Sequence, residues 1–580
     1  MAKRTAADQF VEILLAAGVQ RMYGVVGDSL NPVVDAVRHH DGIDWIHVRH
    51  EEAGAFAAGA EAQLTGRLVA CAGSCGPGNL HLINGLYDAH RSMAPVLALA
   101  AQIPSTEIGT GYFQETHPTL SFQECSHYCE LVSRPEQLAR VTQIAIQHAL
   151  GRGGVGVVAL PGDVADQEAS GAYLEHTYRL DQRPSARPSD EVLDELAGLV
   201  DGVRRVTLFC GRGVAGAHQE VLALAERLKA PVGHALRGKE WIQYDNPYDV
   251  GMSGLLGYGA CYEAMHECDL LVLLGTDFPY VQFMPTRPKV VQVDLRRERL
   301  GSRSRLDLGV WGDVKETLRA LLPRVAERSD RTFLDQMLRR HRELVGRMRA
   351  YAGEVGGRRP VHPEHVAATL DALAADDAVF TVDTGMCNVW AARLVRATAR
   401  RRILGSFVHG SMANALPQAI GAQLPDRGRQ VIAMCGDGGF AMLMGDFLTL
   451  LQYELPVKVV VFDNGSLGMV ALEMLVAGYP PYQTDLKNPD FAAIARAAGA
   501  TGIRIEDPGD VRDGLGQALA TDGPVLVDVL TDPNALSMPP KITGEQVKGF
   551  ALAMSRLVLS GDADEVVNMA RSNLRNLPRP

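Results

Sequence analysis

Two stretches from opposite halves of this chain are built alike. Residues 430–463 read QVIAMCGDGGFAMLMGDFLTLLQYELPVKVVVFD, and residues 68–101 read LVACAGSCGPGNLHLINGLYDAHRSMAPVLALAA. Each runs strand, glycine loop, helix, proline, strand. Strand-like and helix-like runs alternate in the same way throughout, which is the mark of an α/β protein. The expected fold is therefore α/β, with parallel sheets flanked by helices.

At 580 residues the chain is too long for one core. Polar, proline-rich stretches at 165–191 and near 325–363 read as linkers. They divide the chain into domains over 1–170, 190–325 and 360–531, with a tail over 532–580. The echo between the first and third domains gains meaning if the two face each other across one ligand.

Net charge is -11 and no lysine/arginine run is present, which argues against a nucleic-acid partner. The nine cysteines are scattered and form no paired CxxC, so a structural zinc site is not expected. Isolated cysteines suit a reducing cytoplasm. Asp8 and Glu12 interrupt the N-terminal apolar run, and no run approaches the roughly 20 residues that span a bilayer. The expected location is cytoplasmic.

The apolar run QVIAMC ends at a Gly-Asp-Gly, and VKVVVF ends at Asp463-Asn464. In open parallel sheets, ligands bind at the carboxyl ends of the strands. If these strands are neighbours, Asp437 and Asn464 converge. Asp437 also stands where a helix begins, and free N–H groups there favour an anion. A carboxylate, a carboxamide oxygen and a helix N-terminus suit Mg²⁺ bridging a diphosphate. Read alone, the same residues are a tight turn and a strand-end cap. In the middle domain, Gly211, Gly213 and Gly216 form a G-x-G-x-x-G between a strand and a helix. The next strand lacks the acidic residue that would take an NAD ribose.

Residues 436–464 resemble the signature of thiamine diphosphate (ThDP) enzymes, which opens with GDG and closes with NN. This chain has Asp463 in place of the first asparagine. "VRHEEAGAFAAGAEA" and "HGSMANALPQAIGA" resemble two further segments of that family. The resemblance implies Mg²⁺ held by the side chains of Asp437 and Asn464 and the carbonyl of Ser466. It also implies ThDP contacts from Gly410, Ser411, Met412, Gly438, Gly439, Gly465, Leu467 and Gly468, with Met412 the apolar wedge that bends the cofactor. Glu51 would act on its aminopyrimidine ring. The first domain would bind the pyrimidine and the third the diphosphate. In the family these come from different subunits, so the resemblance implies at least a dimer, commonly a tetramer.

Longer segments, among them "AGSCGPGNLHLINGLYDAHR", "GYFQETHP", "HALRGKE" and "YDNPYDVGMSGLLG", are similar to the bacterial quinone-reducing pyruvate oxidases. That resemblance implies FAD in the middle domain, contacted by Ser253, Gly254, Leu255, Leu256, Thr276, Asp277, Phe278, Pro279, Tyr280 and Asp294. It implies oxidative decarboxylation of pyruvate to acetate and CO₂, with electrons passing through FAD to a membrane quinone. Phe113, Gln114 and Glu473 would line the pocket, and Met469 stands where relatives place phenylalanine. The alternatives are an acetohydroxyacid synthase-like enzyme, an O₂- and phosphate-dependent pyruvate oxidase, an NAD dehydrogenase and a non-catalytic homologue.

The tail, SGDADEVVNMARSNLRNLPRP at 560–580, reads as a helix. Acids fill its first turn, arginines its last, and Pro578 ends it. Val566, Val567, Ala570, Leu574 and Leu577 share one face, with Arg571 and Arg575 beside it. By pattern alone this is a helix packed on its own domain. The resemblance instead implies a tail that shields the active site at rest and attaches to the inner face of the membrane when the flavin is reduced.

Overall fold

The structure, a computed structural model, describes residues 4–170, 185–535, 548, 550–556 and 567. It contains three largely parallel sheets. The first is built from β1 (Arg21–Gly24), β2 (Asp44–His47), β3 (Val69–Gly73), β4 (Val96–Gln102), β5 (Tyr128–Leu131) and β6 (Val155–Pro161). The second contains β7 (Val206–Cys210), β8 (Val232–His234), β9 (Asp249–Met252), β10 (Tyr258–Gly259), β11 (Leu270–Leu274), β12 (Lys289–Asp294) and β13 (Leu308–Trp311). The third contains β14 (Val379–Val382), β15 (Arg402–Gly405), β16 (Val431–Gly436), β17 (Lys458–Asp463), β18 (Thr501–Ile505) and β19 (Val525–Leu530).

The first sheet has the order β2-β1-β3-β4-β6-β5 and the third β15-β14-β16-β17-β19-β18. Counted from each sheet's own first strand, the two orders are the same. The echoed sequence segments occupy equivalent places, β3–β4 and β16–β17. Every residue of β3, β4 and β17 is buried, because helices cover both faces of a parallel sheet. The second sheet has the order β10-β9-β8-β7-β11-β12-β13, and only its β9–β10 pair is antiparallel.

The first and third sheets share one apolar core, in which Tyr23, Leu82 and Phe122 belong to the same cluster as Phe440, Leu450 and Phe491. Its centre is a close helix crossing. The helix Ala415–Gln423 has no exposed residue and lies on the helix Glu51–Thr65. A Cβ on Gly421 would stand 2.0 Å from the carbonyl oxygen of Ala57, so only glycine permits this approach. The second unit is tied to the third by Lys239, whose buried Nζ donates to the carbonyl of Ala392 at 2.5 Å.

The stretch near 325–363 that reads as a linker holds a 23-residue helix, Thr332–Glu354. Leu334, Leu338, Val345, Met348 and Ala352 recur there at helical spacing, so the linker reading of this stretch is corrected by a pattern already present in the sequence. Most of the first linker, and the predicted helix over 560–580 except Val567, lie outside the described residues. Among the described residues, no helix is long and apolar enough to cross a membrane.

Candidate active site

In the third sheet the chain runs from β14 outward to β15 and then back past β14 to β16, so the order reverses between β14 and β16. That reversal opens a crevice at the strand ends. Asp383 follows β14 at its edge, and Asp437 follows β16 and begins the helix Asp437–Leu443. β17 is the next strand and is parallel to β16, with Gly436 opposite Phe462. Asp437 and Asp463 therefore leave the sheet side by side, and Asn464 comes one residue later. The predicted convergence of Asp437 and Asn464 follows from this register.

Asp437 is 3% exposed. Its Oδ1 accepts the Gly438 N–H at 2.8 Å, and its Oδ2 accepts Gly465 N–H and Asn488 Nδ2, each at 2.8 Å. Burial pushes its carboxyl up to about 6, opposed by the Gly438 N–H and reinforced by the charge of Asp463. Asn464 Oδ1 accepts Ser466 N–H at 3.1 Å, which curls the loop. The loop is pinned from outside, since Leu467 N–H donates to Thr484 O and Leu486 N–H to Gly465 O, each at 2.8 Å.

Below the glycine turn lies Asp383, also buried, which accepts the Ala415 N–H at 3.1 Å through Oδ1. A Cβ on Gly439 would stand 2.1 Å from Asp383 Oδ2, and that buried oxygen has no hydrogen-bond partner. A Cβ on Gly438 would meet Leu467 at 2.8 Å and Met412 Cε at 3.3 Å. The structure thus packs Met412 and Leu467 against Gly438, and Asp383 against Gly439. A helix N-terminus beside the oxygen donors of Asp437 and Asn464 fits a diphosphate and a hard cation.

In the first unit, Glu51 begins the helix Glu51–Thr65, and the ring of His50 accepts the Glu52 N–H as a cap. Glu51 is 8% exposed, and its Oε2 lies 2.9 Å from His81 Nδ1. His50 stacks on His81 with centroids 4.3 Å apart. A Cβ on Gly78 would approach Glu51 Oε1 to 2.9 Å, so the glycine loop leaves room for the carboxylate. Gln114 sits at φ 62, and its Oε1 accepts from Cys75 Sγ at 3.4 Å. Phe113 beside it is 77% exposed. Across the shared core, Asn84 Nδ2 donates to Ser411 Oγ at 2.9 Å, next to Met412.

In the second unit, the turns after β7 and β11 interlock, because Cβ atoms on Gly211 and Gly213 would both strike Gly275 at 2.5 Å. The segments 253–256 and 276–280 meet there. A Cβ on Gly254 would stand 3.1 Å from the Phe278 ring and 3.4 Å from Tyr280. Asp294 ends β12 and accepts the Arg296 N–H at 2.8 Å, and burial raises its carboxyl above the usual range. Asp277 is paired with Arg299 and Arg303, both at 3.1 Å. Ser253 Oγ is buried without a partner, a polar atom left for a bound polar group. These residues fit a nucleotide cofactor.

Glu473 and Met469 lie one turn apart on the helix Gly468–Val476. Burial raises the Tyr280 phenol, and the charge of Glu473 adds to the shift. Leu256 and Met469 pack against the same apolar cluster, and Arg393 donates to the Gly257 carbonyl at 3.3 Å. One chain therefore brings 253–256, 276–280 and the 468–476 helix together. Phe113 and Gln114 remain on the first unit.

Three residues of this site escape sequence reasoning. His81 had a signal, a histidine one turn into the helix after the glycine loop. Asn488 and Asp383 had none, because only the sheet topology places them beside Asp437.

Residues 4–122, 193–321 and 383–529 match the N-terminal TPP binding domain, the central domain and the C-terminal TPP binding domain of thiamine pyrophosphate enzymes. The chain belongs to this thiamine pyrophosphate (ThDP)-dependent enzyme family. It is 35% identical to the putative thiamine pyrophosphate-containing protein YdaP of Bacillus subtilis, over 99% of both chains. It is 31% identical to the pyruvate oxidase of Lactiplantibacillus plantarum, over 90% of this chain and 87% of that one. With the acetolactate synthase of Mycobacterium bovis it shares 30% identity over 93% and 90%. Within the family it is thus related to pyruvate oxidase.

Proposed function

We propose that this enzyme oxidatively decarboxylates pyruvate and passes the electrons through FAD to a membrane quinone. Pyruvate and water give acetate, CO₂, two protons and two electrons, and the quinone takes up the electron pair. The observation that carries this reading is the packing of Leu256 and Met469 against one apolar cluster. It seats the segment assigned to FAD and the helix assigned to the reaction pocket on one core. Bound ThDP supplies the carbanion chemistry for losing CO₂, and bound FAD accepts two electrons.

The chain's own residues have these roles. Asp437, Asn464 and the Ser466 carbonyl hold Mg²⁺, and Met412 supports the bend of ThDP. Glu51 holds a proton against the pyrimidine ring, and His81 orients its carboxyl. Ser253–Leu256, Thr276–Tyr280 and Asp294 hold FAD. Phe113, Gln114, Met469 and Glu473 enclose pyruvate and exclude water. Residues 1–170 form the pyrimidine-binding domain, 190–325 the FAD domain and 360–531 the diphosphate domain, and the active unit is a homotetramer of paired dimers. The 532–580 tail attaches the enzyme to the inner face of the membrane.

The test is the spectrum of the purified protein. A flavin absorbance bleached by pyruvate without oxygen, and restored by a quinone with release of acetate, is the expected result. The relation to an acetolactate synthase supports a second reading, condensation of two 2-oxo acids. Acetolactate formed without quinone reduction would establish it.

A further inference from the structure

Asp463 replaces the first asparagine of the ThDP signature, and the structure places its carboxylate beside Asp437. A single nitrogen, Asn488 Nδ2, donates to Asp437 Oδ2 at 2.8 Å and to Asp463 Oδ1 at 2.7 Å. The Gly465 N–H reaches the same two oxygens at 2.8 and 3.3 Å. These oxygens can be no farther apart than the two Asn488 bonds laid end to end. The residues are 3% and 9% exposed. Behind them Asp528 is fully buried, and its charge is met by Arg504 at 2.7 Å. Among the described residues, no basic side chain forms an ion pair with Asp437 or Asp463. Neutral donors alone hold two neighbouring carboxylates in a low-dielectric site, where their repulsion is strong.

We propose that Asp463 is a second anionic group of the cation site, set against Asp437 by the positioning residue Asn488. This rests on the cation site proposed above. Cation affinity at oxygen sites rises with ligand charge. The chain therefore binds a divalent cation more tightly than it would with asparagine at 463, and its cation-free fold carries the repulsion.

The test compares the full-length parent with Asp463→Asn and Asp437→Asn. Mn²⁺ binding in the presence of ThDP is measured by electron paramagnetic resonance, and melting is followed in EDTA and in Mg²⁺. Asp463→Asn should weaken Mn²⁺ binding about ten-fold. In EDTA it should melt about 2–4 °C above the parent, and Mg²⁺ should raise its melting point less. Parent-like Mn²⁺ affinity overturns the proposal. So does a variant that melts lower in EDTA or is unfolded there, since Asp463 would then be a structural acceptor. If Asp437→Asn also keeps its Mn²⁺, the cation site itself has been misplaced. If only Asp437→Asn loses it, the site stands and the role of Asp463 fails alone.

Discussion

Arg556 donates a 2.7 Å hydrogen bond from Nη1 to the carbonyl oxygen of Gly478, just beyond the helix that carries Met469 and Glu473. On the same helix, Leu472 and Leu475 pack against Phe550, Ala553 and Met554. The segment leading into the tail is thus seated on the helix assigned to the reaction pocket.

The 560–580 tail is tested by removing it. A buried Val or Leu contributes only about 1.5–3 kcal/mol, so the short apolar face expected from its sequence would suit reversible attachment. Truncation after Leu559 keeps the 550–556 contacts. It should raise activity with a soluble dye acceptor and remove liposome binding and lipid activation. A truncated enzyme that still floats with liposomes after reduction by pyruvate would place the membrane contact elsewhere.

Glu51 is tested by replacing its carboxyl with an amide of the same shape. Glu51→Gln should lower turnover by about 10²- to 10⁴-fold, the range for a positioned acid–base group. ThDP should still co-purify, because the residues at its diphosphate end are untouched. Near-normal turnover would refute the role.

Asp437 is tested by cofactor retention. Asp437→Ala removes the carboxylate on which Gly465 and Asn488 converge. ThDP should be lost on gel filtration while FAD remains in the middle unit. Retention of ThDP in this variant and after dialysis against EDTA would reduce the motif to a turn.

Lys239 yields a prediction for stability against pH. Burial lowers its ammonium from 10.5 to about 7, although Asp249 and Asp371 oppose the shift. Between those values the unfolded chain holds the proton and the folded chain does not. Unfolding takes up a proton there, so stability rises with pH across that window, and below pH 7 the full penalty remains. Lys239→Met removes this dependence. The difference in unfolding free energy between variant and parent should shift in the parent's favour by about 1.4 kcal/mol per pH unit from pH 7 to 10. A gap that stays constant over that range would show that the lysine is not titrating inside the fold.

The α/β class, the strands of the two echoed units and the polar residues at their ends were all legible in the sequence. Those features are local, since unbroken apolar runs, glycine turns and helix starts are written in neighbouring residues. The adjacency and register of β16 and β17, which turn Asp437 and Asp463 into neighbours, came from the tertiary fold alone. So did the bridge that Asn488 makes between them, the place of Asp383 under Gly439 and the contact of His81 with Glu51. Strand order and helix crossings bring together groups whose sequence spacing carries no signal. The helix Thr332–Glu354 was also legible, since Leu334, Leu338, Val345, Met348 and Ala352 recur at helical spacing. What only the tertiary structure decided is where that stripe packs, with Met337 in a core of the second unit and Ala352 in that of the third, because neighbouring residues do not say which surfaces a helix will meet.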